Sequence, residues 1–156
     1  MLIFGCDPGF TGAVALYWTD SGKLEVHDMP VVKNTKGKAI INSPYLLDIL
    51  QNEANEKCLA LIEQVSAMPG QGVSSMFRFG EGYGMLQMAC AANKLPTQFV
   101  TGAKWKGYFG LNRDKGVSRG LAMQRFPEYA GLFSRVKDDG RAEAALIALY
   151  AAENMV

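Results

Sequence analysis

Four carboxylates in three separated stretches, Asp7, Glu63, Asp139 and Glu143, have the types and settings to do chemistry together. Asp7 lies in "IFGCDPGFTGAVALYW", with apolar residues on both sides. An ionised carboxylate is costly to bury unless something neutralises it. Asp-Pro-Gly is also good turn chemistry, and a turn alone would account for an acid here. A bound cation would account for the apolar setting as well. Glu63 ends the continuously apolar run "CLALIE" and, taken alone, reads as a strand-end acid facing water. Asp139 and Glu143 stand four apart in "KDDGRAEAALIALY", on one helical face if the helix has begun by Asp139. Either Asp138 or Asp139 could cap that helix. Ala142, Ala144, Ala145 and Ala148 allow it to lie close to a sheet, which would aim Glu143 at the other acids.

Carboxylates brought to one place repel each other unless a divalent cation sits between them. Hard cations such as Mg²⁺ take oxygen ligands, and a pair about 4 Å apart serves both the attacking water and the leaving oxygen of phosphoryl transfer. His27 is the only histidine, and it reads as a polar residue of a strand. Schemes built on a serine or cysteine nucleophile therefore lack a histidine base. Metal-activated water is the mechanism this inventory supports.

The elements that must position the acids alternate. Residues 2–6, residues 12–18 and the run "GKLEVHDMP" read as three strands in a meander. "VVKNTKGKAIINS" reads as a polar, Lys-rich loop. Ser43-Pro44 reads as a helix start, with Tyr45, Leu46, Ile49 and Leu50 as an apolar stripe behind it. "CLALIE" is a strand buried on both faces, and "AMPGQGVSS" a loop. "MFRFGEGYGMLQMACAANK" is a helix whose three internal glycines imply close packing of another backbone. "PTQFV" is a fifth strand, and "GRAEAALIALYAAENM" a final helix. The expected fold is α/β: a mixed five-stranded sheet, a three-strand meander plus parallel strands, flanked by helices. Functional groups gather at the carboxyl ends of such parallel strands, where Asp7 and Glu63 fall.

The 156 residues fit one domain, 1–156, with 49% hydrophobic and 20% charged residues, ordinary for a globular chain. No membrane-spanning run or signal-type start is seen, so a cytoplasmic protein is expected. Cys6, Cys58 and Cys90 read as reduced core thiols, not a disulfide or zinc set. Net charge is only +1, but residues 101–141 carry nine Lys and Arg against four acids. That segment is either a solvated face or a footprint for a polyanion.

"GCDPGFTGAVAL", "LALIEQV" and "DDGRAEAALIALY", in this order and spacing, resemble the RuvC group of Holliday junction resolvases, and the compact length its phage or prophage type. The resemblance implies an RNase H-like fold, a homodimer, and two Mg²⁺ or Mn²⁺ ions held by four acids. It implies hydrolytic nicking of two opposed strands of a four-way DNA junction, with no organic cofactor and no membrane partner. Asp7 matches the first-strand ligand, Glu63 the second and Glu143 the last-helix acid. The family often has an acid three residues before that one, where this chain has Gly140. Asp139 is assigned the role instead, with Asp138 in reserve. An aromatic wedge found after the second acid in some relatives is Ser66 here, leaving Met68, Met76 or Phe77 to open a junction. Lys104, Lys106, Lys115, Arg119 and Arg78 are candidate phosphate contacts. Gln71, Ser74 and Ser75 are candidate donors to DNA, while Trp105 and Tyr108 read as core or dimer residues. Two other functions fit the same residues: an RNase H-like nuclease acting on hybrid or flap substrates, and a non-catalytic DNA-binding module. An actin-like ATPase is excluded because the chain has one such lobe and no repeat.

Overall fold

β1 (Leu2–Asp7) sends Leu2, Phe4 and Cys6 into one buried cluster and Ile3 into another. Apolar residues on both phases of a period-two pattern are what a strand covered on both faces requires. The computed structural model describes residues 1–51, 57–67, 69–111 and 115–156, and places β1 at the centre of a five-stranded sheet. β2 (Ala13–Trp18) pairs antiparallel with β1, and β3 (Leu24–Asp28) antiparallel with β2. On the other side of β1, β6 (Cys58–Gln64) and then β7 (Thr97–Thr101) add in parallel. The order β3-β2-β1-β6-β7 is the expected meander joined to parallel strands.

One face is covered by α1 (Ser43–Ile49) and α2 (Val73–Ala92), through Leu46, Ile49, Leu86, Ala89 and Cys90. The other is covered by α5 (Asp139–Asn154), behind which lie α3 (Gly102–Tyr108), α4 (Lys115–Arg125) and 3-10 turns at Pro127–Phe133 and Val136–Asp138. α5 is buried from Ala142 through Ala151, so it is a central helix and not an amphipathic surface one. Its alanines let it touch the sheet backbone. A Cβ added at Gly5 would collide with the Ala144 carbonyl oxygen and come within 2.5 Å of the Ala148 nitrogen.

Four local expectations are corrected. The Lys-rich stretch after Pro30 is a hairpin, β4 (Val31–Lys33) paired antiparallel with β5 (Ala39–Ile41). Its turn is made by Asn34, whose Oδ1 accepts the N–H groups of Lys36 and Lys38 at 2.9 and 3.0 Å, and by Gly37 at φ +72°. α1 is capped by Asn42, whose Oδ1 accepts from Tyr45 N–H at 3.3 Å, and Ser43 already belongs to the helix. α2 begins at Val73, so Ser74 and Ser75 sit in its first turn and not in a loop. Of its glycines only Gly82 is packed, with a Cβ there 3.5 Å from Ile41 Cγ1, while Gly80 and Gly84 face open space. Among the described residues no helix is long and apolar enough to cross a membrane.

Candidate metal centre

The register of the sheet brings the first two acids together. Leu2 through Cys6 pair with Cys58 through Ile62, and Asp7 and Glu63 are the next residues on each strand. Both share the phase of residues that face α5: Ile3 on β1, Leu59 and Leu61 on β6. Glu143 enters from that helix, 7% exposed between fully buried Ala142 and Ala144. Carboxylate oxygens of Asp7, Glu63 and Glu143 lie within 4.8 Å of one another. Two unit charges at that separation repel by about 3 kcal/mol at an effective dielectric constant near 20.

Three neighbours serve this centre. Lys106 donates from Nζ to Glu143 Oε1 at 2.9 Å, its ammonium 5.0 Å from the centre of the Trp105 ring. Trp105, fully buried, donates its indole N–H to Glu63 Oε2 at 3.3 Å. Gly102 makes room beside it, since a Cβ there would stand 2.6 Å from Glu63 Oε1. The sequence marked Trp105 only as a core or dimer residue, and a lone tryptophan carries no signal of its hydrogen-bond partner.

Asp139 lies one helical turn before Glu143, outside the group of three, and accepts from Arg119 Nε at 2.8 Å. Gly140 explains why no acid occupies the alternative position. A Cβ there would collide with the Thr11 carbonyl oxygen and stand 2.8 Å from Gly12 Cα, so α5 rests directly on the turn after Asp7. Asp138, the reserve, is engaged elsewhere. It is 1% exposed and accepts from the backbone N–H of Arg135 at 2.9 Å and from its guanidinium at 2.8 Å. The Arg135 guanidinium holds the Asp138 carboxyl below its ordinary range against the opposing effect of burial. Arg141, bidentate to Asp28 at 2.6 and 2.7 Å, does the same for that residue.

The basic segment is largely neutralised within the chain. Of its seven described cations five pair with acids: Lys106 with Glu143, Arg119 with Asp139, Arg125 with Glu153, Arg135 with Asp138 and Arg141 with Asp28. Lys104 is exposed; Lys115 opens α4, but its side chain lies outside the described part. Arg78 donates to the Ala39 carbonyl at 2.9 Å and stacks 5.3 Å from the centre of the Phe10 ring. Gln71, Ser74 and Ser75 are exposed, as is Ser66. Met68 lies outside the described residues, Met76 is half-buried, and Phe77 is 75% exposed.

No family model matches the chain, and no curated protein matches it in sequence. Solved structures do. Thermus thermophilus RuvC in complex with a Holliday junction substrate superposes with a TM-score of 0.64 at 13% identity, over 98% of this chain and 95% of that one. A second Thermus thermophilus RuvC structure superposes with a TM-score of 0.61 at 14% identity, over 98% and 96%. The fold is RNase H-like. It is the one implied by the resemblance of the three acid-bearing segments, and the superposition extends over nearly the whole length of the RuvC chains.

Proposed function

We propose that this chain is a structure-selective DNA endonuclease of the RuvC group, of its phage or prophage type, acting in the cytoplasm. It resolves four-way junctions by metal-dependent hydrolysis, nicking two opposed strands as a homodimer. The observation that carries this reading is the convergence of Asp7, Glu63 and Glu143, from two strand ends and the central helix, in a chain of RuvC-like fold.

The donor set suits a divalent ion such as Mg²⁺ or Mn²⁺, and two per centre are proposed. It is all carboxylate oxygen, the ligand type hard cations take, and its oxygens lie within 4.8 Å of one another. Asp7, Glu63 and Glu143 would hold the ions, with Asp139 completing the set from the same face of α5. When bound, such ions neutralise charge on the scissile phosphate and lower the pKa of an attacking water. The chain's own residues fix the geometry. Trp105 pins the Glu63 carboxylate through its indole N–H, and α5 cannot slide because Gly140 is seated on Thr11. Lys106 and Arg119 balance Glu143 and Asp139 at the centre. Two copies, as the resemblance implies, would bring one such centre to each of the two strands. The outward stripe of α2, with Val73, Phe77 and Met88 exposed around Gly80 and Gly84, supports a helix-to-helix contact between the copies.

The test is cleavage of a labelled four-way junction beside a linear duplex of the same sequence, with Mg²⁺, with Mn²⁺ and with EDTA. Paired nicks near the branch point, dependent on metal and lost in Asp7→Asn, are expected. Equal cutting of both substrates would make this a general nuclease of the same fold, and binding without cutting would make it an inert module.

A further inference from the structure

We infer that the β4–β5 hairpin is a second phosphate-backbone contact, through which Lys33, Lys36 and Lys38 hold a duplex arm of the substrate beside the acid centre. The inference rests on the reading of the substrate as DNA.

The charge of this hairpin is uncompensated. Residues 29–47 contain no acid, and all three lysines are exposed. Among the described residues no carboxylate lies within ion-pair distance of any of them. The contrast with the segment after residue 101 is direct, since most of its described cations are spent on acids of the chain. A free ammonium group gains from a phosphate, by releasing its condensed counterion, what a paired one has already gained.

The hairpin leaves the sheet at the end that carries the acids, on the face covered by α2. Asp7 pairs with Ala13, and Ala13 with Asp28, so β3 ends on the row that carries the first acid. Met29 N–H bonds the Gly12 carbonyl at 2.9 Å, and the chain leaves the sheet there to form the hairpin. Asn42 N–H closes its base on the Pro30 carbonyl at 2.7 Å. Arg78 joins the hairpin to the turn after Asp7, with its guanidinium bonded to Ala39 and stacked on Phe10. A Cβ added at Gly82 would touch Ile41 and Phe10 alike. The lysines thus ride on a braced element at the same end of the sheet as the acid centre. Less entropy is lost on binding from such an element than from a free loop.

The experiment measures the affinity of a fluorescent four-way junction in EDTA, where binding is read without cleavage, from about 50 to 200 mM salt. Wild type is compared with a Lys33→Gln, Lys36→Gln, Lys38→Gln triple variant and with the corresponding triple Lys→Arg variant. The Gln variant is expected to bind about tenfold or more weakly, with the slope of log K against log salt shallower by about 2 to 3. The Arg variant keeps the wild-type slope. With Mg²⁺ the DNA concentration for half-maximal cleavage is expected to rise in the Gln variant in step with its loss of affinity. A Gln variant with wild-type affinity and slope overturns the inference and leaves the nuclease reading standing. A wild type that binds no DNA overturns the nuclease reading, and the inference falls with it. Equal melting temperatures for all three proteins show that the fold is not the variable.

Discussion

Lys106 Nζ stands 2.9 Å from Glu143 Oε1, so a cation of the chain's own already occupies one side of a three-carboxylate centre. Replacing Lys106 by Met keeps the stem and removes the charge. The metal-free protein is then expected to lose about 1–3 kcal/mol, since a buried carboxylate is left without its charged partner. Divalent ions should recover more stability in this variant than in wild type. Thermal melts with EDTA and with Mg²⁺ measure both shifts, and a smaller Mg²⁺ response in Lys106→Met would refute the compensation.

Asp7→Asn removes one negative charge from the centre and one ligand. Cleavage should drop to background while junction affinity stays equal or rises, because less charge faces the phosphate. Cutting at the wild-type rate would show that Asp7 is not part of the centre.

Acid should unfold this protein through Asp138 and Asp28. Arg135 and Arg141 hold their carboxyls below the ordinary value near 3.9, so the stability they confer is complete above that pH. It is lost as pH falls through their lower folded-state values. Asp138→Asn should lower stability at neutral pH and flatten the acid limb of a urea-midpoint profile taken between about pH 2 and pH 6. An unchanged profile would mean that the Arg135 contact contributes nothing.

Two glycines separate cleanly by their surroundings. Gly84 is exposed in a helix interior with nothing within 4 Å of an added Cβ, so Gly84→Ala should raise monomer stability by about 1 kcal/mol. At Gly140 the same change meets the Thr11 carbonyl, so Gly140→Ala should cost about 3 kcal/mol or more and lower divalent-metal affinity together with stability. Chemical denaturation and metal titration of the two variants make the comparison.

Much of this architecture can be read from residues alone. Two strands that end in acids, and a last helix of alanines with an acid among them, point to a meeting of sheet and helix, and Asp7, Glu63 and Glu143 do converge there. The hairpin was hidden because its strands are three residues each and its lysines break the alternation that marks a strand. The helix cap moved by one residue because Asn42 and Ser43 are both good caps. The pairing inside the basic segment was not legible for a different reason. Counting charge along a chain says nothing about which cation faces which acid, and Arg119 and Asp139 are twenty residues apart.

At Gly5 the strand and the helix that carry opposing acids meet with no side chain between them. The separation of Asp7 from Glu143 is therefore fixed at a seam that has no slack to absorb change. Hairpins, helix surfaces and loops elsewhere can change without moving that seam. Identity of 13% can thus accompany a shared architecture across nearly the full length of two chains.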